Sequence, residues 1–326
     1  MQKSKLPGSE RYYGWKPSLP DLRDLHYHAP AHVMASLPPS VDLSAGVGPV
    51  LNQGQIGSCG PNSSDSLIMF DQQKESLPVQ SVSRLFIYYY SRLLMGTVDQ
   101  DSGVNNRDML KALNQYGFCD ESLWPYDVNR FTAKPSQEAI TAAAANRIQS
   151  YAVVNQTLGG VKGCLASGFP FLFGFTVYES FESQEVARTG IVPMPQRSEQ
   201  AVGGHDVCIV GYSDITQRFT FKNSWGTGWG KGGFAEIPYA YVLDPNLSGD
   251  FWVVNAIPSG APSPGPTPTP TPTPGPQREF GFRVPAAFGG GLLRVRGVPP
   301  LPVGEYDVFR SGQAADAHAS DAEARP

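Results

Sequence analysis

Three short segments hold the side chains best suited to chemistry. In the first, Asn52-Gln53-Gly54-Gln55-Ile56-Gly57-Ser58-Cys59, a cysteine stands at what reads as the start of a helix. Free backbone N–H groups and the positive end of the helix dipole favour thiolate over thiol at such a position. In the second, Gly203-Gly204-His205-Asp206-Val207-Cys208-Ile209-Val210, a histidine enters an apolar strand behind two glycines that permit close approach of another backbone. The third, Lys222-Asn223-Ser224-Trp225-Gly226-Thr227-Gly228-Trp229-Gly230, puts an asparagine at a strand end before Trp-Gly repeats, a pattern that packing alone does not call for. Taken singly, a buried cysteine and a core or surface histidine are ordinary structural residues. A thiol, a base and an orienting amide together are the parts of nucleophilic acyl transfer.

These segments resemble the active-site blocks of the papain family of cysteine peptidases, especially bacterial-type members with short N-terminal extensions. Gln53 precedes Cys59 by six residues, as in that family. His205 follows Cys59 by 146 residues, within the span of about 130–150 expected of papain-like enzymes. Asn223 sits in N-S-W-G-x-x-W-G, the family's third block. Upstream, Gly14-Trp15-Lys16-Pro17 and Leu22-Arg23-Asp24 are similar to the lead-in of the short-extension members, as is Asp120-Glu121-Ser122-Leu123-Trp124-Pro125-Tyr126. The resemblance spans about Pro38 to Ile257. It implies an endopeptidase in which Cys59 is the nucleophile, His205 the acid–base partner and Asn223 the group that orients the imidazole. By the same resemblance the Gln53 amide and the Cys59 backbone N–H form the oxyanion hole, and Trp225 shields the Asn–His hydrogen bond. Gly103 and Val104 then bind substrate backbone on one wall, with Gly204 and Asp206 on the other. Neither a cofactor nor a metal is implied. The same residues also suit a thiol transpeptidase or amidase, and a catalytically silent module could bind peptides. The presence of Gln53, Cys59, His205 and Asn223 together favours the enzyme.

The chain departs from the family pattern at three places. Ile56 stands where papain has a disulfide cysteine, so that bridge is absent. The run Ser63-Ser64-Asp65-Ser66 is unusually polar for a helix that is central in the family. Asp206 replaces the small residue that lines the S2 pocket, and a carboxylate there would favour arginine or lysine as the second residue before the cut.

The elements that must position these groups change character along the chain. Helical patterns come first, over Cys59 to about Gln73, Ser81–Leu94, Asn106–Tyr116 and Ser136–Ile148, with Ser58 as a candidate N-cap. Short strands follow at Phe171–Tyr178, Asp206–Tyr212, Phe219–Asn223, Gly233–Ile237 and Phe251–Ile257. This order predicts an α+β protein with a helical lobe, a β-barrel-like lobe and a cleft between them. Residues 1–37, rich in aromatics and prolines, read as an extension that packs on the peptidase and is removed on activation. Residues 38–257 are the peptidase domain. Residues 258–276, nearly all Pro, Thr, Ser and Gly, are an extended linker. Residues 277–326 read as a largely disordered tail that could dock a partner.

With 326 residues and a net charge of −4 the chain carries no basic footprint for nucleic acid. No apolar run approaches the roughly 20 residues of a membrane span. No signal peptide is visible, which favours an intracellular site. The four cysteines show no CxxC pair, and Cys119, Cys164 and Cys208 read as free thiols.

Overall fold

The structure is a computed structural model that describes residues 11–256 and the strand backbones at 279–284 and 291–296. The linker at 258–276 and residues 297–326 of the tail lie outside the described residues. Strand β1 (His26–Tyr27), helix α1 (Ala31–Met34) and strand β2 (Ser40–Asp42) come first. Helices α2 (Cys59–Lys74), α3 (Arg84–Leu94), α4 (Asn106–Gln115) and α5 (Gln137–Ala144) make up the helical lobe. The second half alternates β3 (Ser150–Val154), α6 (Leu158–Ala166), β4 (Phe171–Tyr178), α7 (Gln184–Thr189), β5 (Ala201–Ser213), β6 (Arg218–Lys222), β7 (Phe234–Pro238), α8 (Tyr239–Leu243) and β8 (Ser248–Ala256). The chain divides into two units at Ser263. In the second, β9 (Glu279–Val284) and β10 (Gly291–Arg296) pair antiparallel with each other.

The sheet runs in the order β1-β3-β8-β4-β5-β6-β7, with β2 added on β5. Its pairs are antiparallel except for the short parallel pair β1–β3. The barrel-like lobe expected from the sequence is an open sheet, because the end strands β1 and β7 do not pair with each other. The mixed helix and strand architecture is otherwise the α+β arrangement read from the pattern.

Strand periodicity decides which lobe each residue serves. Along β5, Val207 and Ile209 join the core of the sheet lobe, whereas Cys208 and Val210 join the core of the helical lobe. Strand β8 does the same with Phe251 and Val253 against Trp252 and Val254. Alternate side chains of a strand point to opposite faces, so β5 and β8 are buried on both sides and tie the two lobes together.

Helix α2 packs on β5 although its first half is polar. The polar groups find partners inside the protein. The Ser63 hydroxyl reaches the carbonyls of Cys59 and Asp206, both at 3.0 Å, and Ser64 reaches Pro61 O at 3.0 Å. Asp65 Oδ1 accepts from Ser81 Oγ (3.0 Å) and the Val82 N–H (2.9 Å), clamping the lead-in of α3. Ser58 is the N-cap residue by position, but its side chain caps no backbone N–H and pairs with the Tyr126 hydroxyl instead.

Two stability predictions follow from buried carboxyls of α2. Asp65→Ala leaves the Val82 N–H without its partner and is expected to cost about 1–3 kcal/mol. A lower urea midpoint at unchanged slope checks this; an unchanged midpoint contradicts it. Burial pushes the Asp71 carboxyl up to about 7, against the pull of Lys74. Between the ordinary carboxyl range and that value the folded chain holds a proton that the unfolded chain has released, so stability falls as pH rises through this window. Asp71→Asn removes that loss. The variant should gain on the wild type as pH is raised from 4 to 8, and a difference independent of pH would refute this.

Candidate active site

Cys59 is the first residue of α2, and the turn before it is braced from both sides. The Asn62 side chain donates to Ser58 O at 2.9 Å, and Asp101 accepts the Gly57 N–H at 3.0 Å. His205 lies near the start of β5, where β4 pairs with it through Phe175. By strand alternation its ring faces the sheet-lobe core among Phe175, Phe181 and Trp225. Asn223 follows the last residue of β6.

His205 Nε2 and Asn223 Oδ1 are 2.8 Å apart. Asn223 Oδ1 also accepts the Ser224 N–H at 2.8 Å, so this oxygen is an acceptor and Nε2 carries the hydrogen of the neutral ring. The other ring nitrogen, Nδ1, is buried with no hydrogen-bond partner among the described residues. The imidazole is thus held by one edge while the lone pair on the other stays available. The Trp225 indole stacks on it at 4.9 Å between centroids and 26° between planes.

Gln53 belongs to the same assembly. Its Oε1 accepts from Ser224 Oγ at 2.7 Å, and its backbone N–H donates to Ser224 O at 2.9 Å. The side-chain NH2 is therefore turned the other way, donating to Ile56 O (3.0 Å) and Tyr12 O (2.9 Å). Ser224 was not singled out in the sequence, although it lies inside the N-S-W-G block. It connects the asparagine to the glutamine.

Tyr12 O belongs to a strap, residues 11–16, that fills the cleft. Val104 N donates to Gly14 O (2.8 Å), Lys16 N to Val104 O (3.0 Å) and Trp15 N to Gly204 O (2.9 Å). Trp15 and Val104 form a parallel bridge. Tyr13 is buried edge-on to His205 and Trp225, with its hydroxyl on Glu182. Arg11 lies over the Trp225 ring at 4.5 Å. Gly14 passes so close to Gly57 that a Cβ there would fall inside the Gly57 carbonyl, and one at Gly103 would fall inside the Gly14 carbonyl. Beyond Lys16 the extension is largely exposed until Asp24 ion-pairs with Arg107 and β1 joins the sheet. Within the described part of the N-terminal extension, residues 11–16 line the cleft and His26–Tyr27 join the sheet.

The strap leaves Cys59 and His205 with no exposed surface. Burial pushes the Cys59 thiol up to about 12, with the Asp206 carboxyl adding to the rise, against the N–H groups of Asp206, Gly14 and Gly60. Burial likewise pushes the His205 imidazole down to about 4, against the Asn223 hydrogen bond. Desolvation favours the neutral form of each. Both covered groups are therefore neutral, a thiol and an uncharged imidazole.

Asp206, one residue on, faces the opposite side of β5. It is fully buried, and its Oδ2 accepts from Asn106 Nδ2 at 2.6 Å. The carboxylate that meets the Trp15 indole is Asp250, whose Oδ2 accepts from Trp15 Nε1 at 3.1 Å. Nothing in the local sequence marks Asp250. Among the described residues no group of three or more His, Cys, Asp or Glu could hold a metal, and no helix is long and apolar enough to cross a membrane. All four cysteines are free and buried.

The model of the papain family of cysteine proteases matches residues 37–242. An uncharacterised peptidase C1-like protein of Acanthamoeba polyphaga mimivirus is 42% identical over 216 residues, 64% of this chain and 70% of its own length. The crystal structure of xylellain, a cysteine protease from Xylella fastidiosa, is 38% identical with a TM-score of 0.70 and covers 74% of this chain and 95% of that one. A procathepsin B of Trypanosoma congolense, at 16% identity and a TM-score of 0.59 over 76% of this chain and 87% of its own, shares the fold. On these matches the chain belongs to the papain family of cysteine proteases and is a cysteine peptidase, a hydrolase of peptide bonds.

Proposed function

We propose that the chain is an endopeptidase acting through Cys59, His205 and Asn223, and that residues 11–16 hold it inactive until they leave the cleft. The observation that carries this reading is the His205 ring, fixed through Nε2 on Asn223 and open at Nδ1. With the strap gone, water and the α2 N-terminus favour transfer of the thiol proton to Nδ1, leaving a thiolate–imidazolium pair. The sulfur attacks the scissile carbonyl carbon, and the carbonyl electrons move to oxygen. That oxygen takes the place of Tyr12 O at the Gln53 NH2, with the Cys59 N–H as second donor. The imidazolium gives its proton from Nδ1 to the leaving amine as the C–N bond breaks, and a thioester remains. Nδ1 then takes a proton from water, whose oxygen displaces the sulfur and completes hydrolysis.

The strap supports this reading from the binding side. Its backbone pairs with Val104 and Gly204, and Gly103 lies against Gly14; these backbone groups are the ones an extended substrate would use. Trp225 covers the imidazole and its hydrogen bond from water. Asp206 is held by Asn106, whose side-chain NH2 donates to its Oδ2 at 2.6 Å.

In the full chain, Gly14→Ala is expected to expel the strap and raise hydrolysis of denatured casein at least about tenfold, since its Cβ has no space over Gly57. Adding Cys59→Ala should abolish that hydrolysis. Equal rates for wild type and Gly14→Ala would show that the strap is not the block. In the Gly14→Ala background, Gln53→Ala is expected to lower kcat by about 10²–10³-fold with little change in KM. A loss confined to KM would remove Gln53 from the oxyanion hole.

A further inference from the structure

The loop from Gln53 to Cys59 carries both proposed oxyanion donors and has little to stiffen it from within. It includes Gly54 at a left-handed φ of 61°, a conformation open to glycine and loose in its absence of a side chain. Ile56 stands where papain has its disulfide cysteine, and all four cysteines of the chain are free, so no covalent bridge closes the loop. The two ends are joined instead by one side chain. The Tyr126 hydroxyl donates to Gln53 O at 2.8 Å and pairs with Ser58 Oγ, the residue before the sulfur.

Behind this tie is Arg84, the first residue of α3, which is buried. Its guanidinium lies over the Tyr126 ring, 3.8 Å from the centroid. Nη1 donates to Asn62 Oδ1 at 2.9 Å and to Asn52 O, just before the loop, at 3.4 Å. Asn62 in turn donates to Ser58 O at 2.9 Å and to Ser58 Oγ at 3.2 Å. Nη2 ion-pairs with Glu121 Oε1 at 2.9 Å, and the same oxygen accepts the Tyr126 N–H at 3.1 Å. Asn52, Asn62 and Tyr126 each adjoin the loop or bond to it. Nε is buried with no partner among the described residues. A buried cation with an unmet N–H adds little net stability, because desolvation offsets its Coulomb gain. What the planar fork supplies is position, since it fixes several groups at set angles at once.

We propose that Arg84 and Tyr126 are positioning residues for the hydrolysis. The guanidinium, stacked on the tyrosine and anchored on Glu121, holds the loop at both ends so that the Gln53 NH2 and the Cys59 N–H converge on one oxyanion. This non-covalent brace stands where the papain bridge is missing. The assignment rests on the peptidase reading above, and both residues act through Gln53, Ser58 and Asn62. Misplacing a catalytic group by about 1 Å costs on the order of 10²-fold in rate. Loss of the brace therefore falls on the transition state, where the oxyanion forms, and spares the thiol and the binding of substrate backbone.

The test uses the full chain opened by Gly14→Ala, with denatured casein as substrate. Arg84→Met and Tyr126→Phe should each lower kcat at least about tenfold with KM within about twofold. Alkylation of Cys59 by iodoacetamide, in which sulfur displaces iodide and no oxyanion forms, should keep its rate. Arg84→Lys, which keeps the charge and loses the fork, should not restore kcat. Added to Gln53→Ala, Arg84→Met should lower kcat by no more than about threefold, because one donor is already gone. Unchanged kcat in Arg84→Met, an equal fall in alkylation, full rescue by Arg84→Lys or full additivity with Gln53→Ala would overturn the assignment. Amide hydrogen exchange in the chain with its strap in place reads the loop without hydrolysis. Both variants should speed exchange over residues 54–59 at least about tenfold and leave α6 unchanged. Faster loop exchange with no hydrolysis by the Gly14→Ala chain would sink the peptidase reading and keep the brace. Hydrolysis with kcat and loop exchange unmoved would sink the brace alone. If Arg84→Met fails to fold, Tyr126→Phe, which loses a single hydroxyl, still decides.

Discussion

Strand β5 is buried on both faces, and most of the site depends on that constraint. Because adjacent residues of a strand point oppositely, His205 and Asp206 are sent to different lobes by a shift of one position. The histidine enters an aromatic enclosure where Trp225 and Phe175 fix its plane and Asn223 fixes its edge. The aspartate enters the polar seam between α2 and α4, where Asn106 receives it. A one-residue slip of β5 against β4 would exchange the two and leave an imidazole in the seam and a carboxyl among phenylalanines. The bulk of Val207, Ile209 and their neighbours on both faces holds the register.

A second dependence runs across the lobes. Asn223, Ser224 and Gln53 form one hydrogen-bonded series, so the group that orients the imidazole and the group that would bind the oxyanion are positioned together. The strap uses this preorganised site as a substrate would, offering a carbonyl to Gln53 and backbone to Val104 and Gly204. What it adds is desolvation. Sealing Cys59 and His205 from water favours the neutral form of both. On the proposed reading, inhibition by the strap needs no distortion of the site.

The chemistry of this chain was more legible in its sequence than its cleft. Cys59, His205, Asn223 and Gln53 could be picked out because their blocks together resemble those of the papain family, each block being ambiguous alone. The helices were legible from their apolar patterns, although the cap expected at Ser58 turns to Tyr126, and the side chains that cap α4 and α5 are those of Asn105 and Ser136. Strand β3 and helix α6 went unread, since Ser150–Val154 is short and the glycines of Leu158–Ala166 mask its helical period. The polar first half of α2 looked wrong for a buried helix because its partners, Ser81 and Val82 among them, are remote in sequence. Asp206 drew attention by its place beside His205, yet strand alternation sends it to the other face of β5, where its carboxyl accepts from Asn106. Asp250 is near Trp15 only in three dimensions, and no spacing rule joins residues 15, 174, 204 and 250.

The most direct measurement of the central idea is the titration of the His205 imidazole by NMR in the full chain and in Gly14→Ala. With the strap in place the ring should stay neutral down to about pH 4. In Gly14→Ala it should hold a proton through neutral pH, as the partner of a thiolate, and lose that behaviour when Cys59→Ala is added. Identical titration curves for the two chains would contradict the idea that burial by residues 11–16 keeps this peptidase silent.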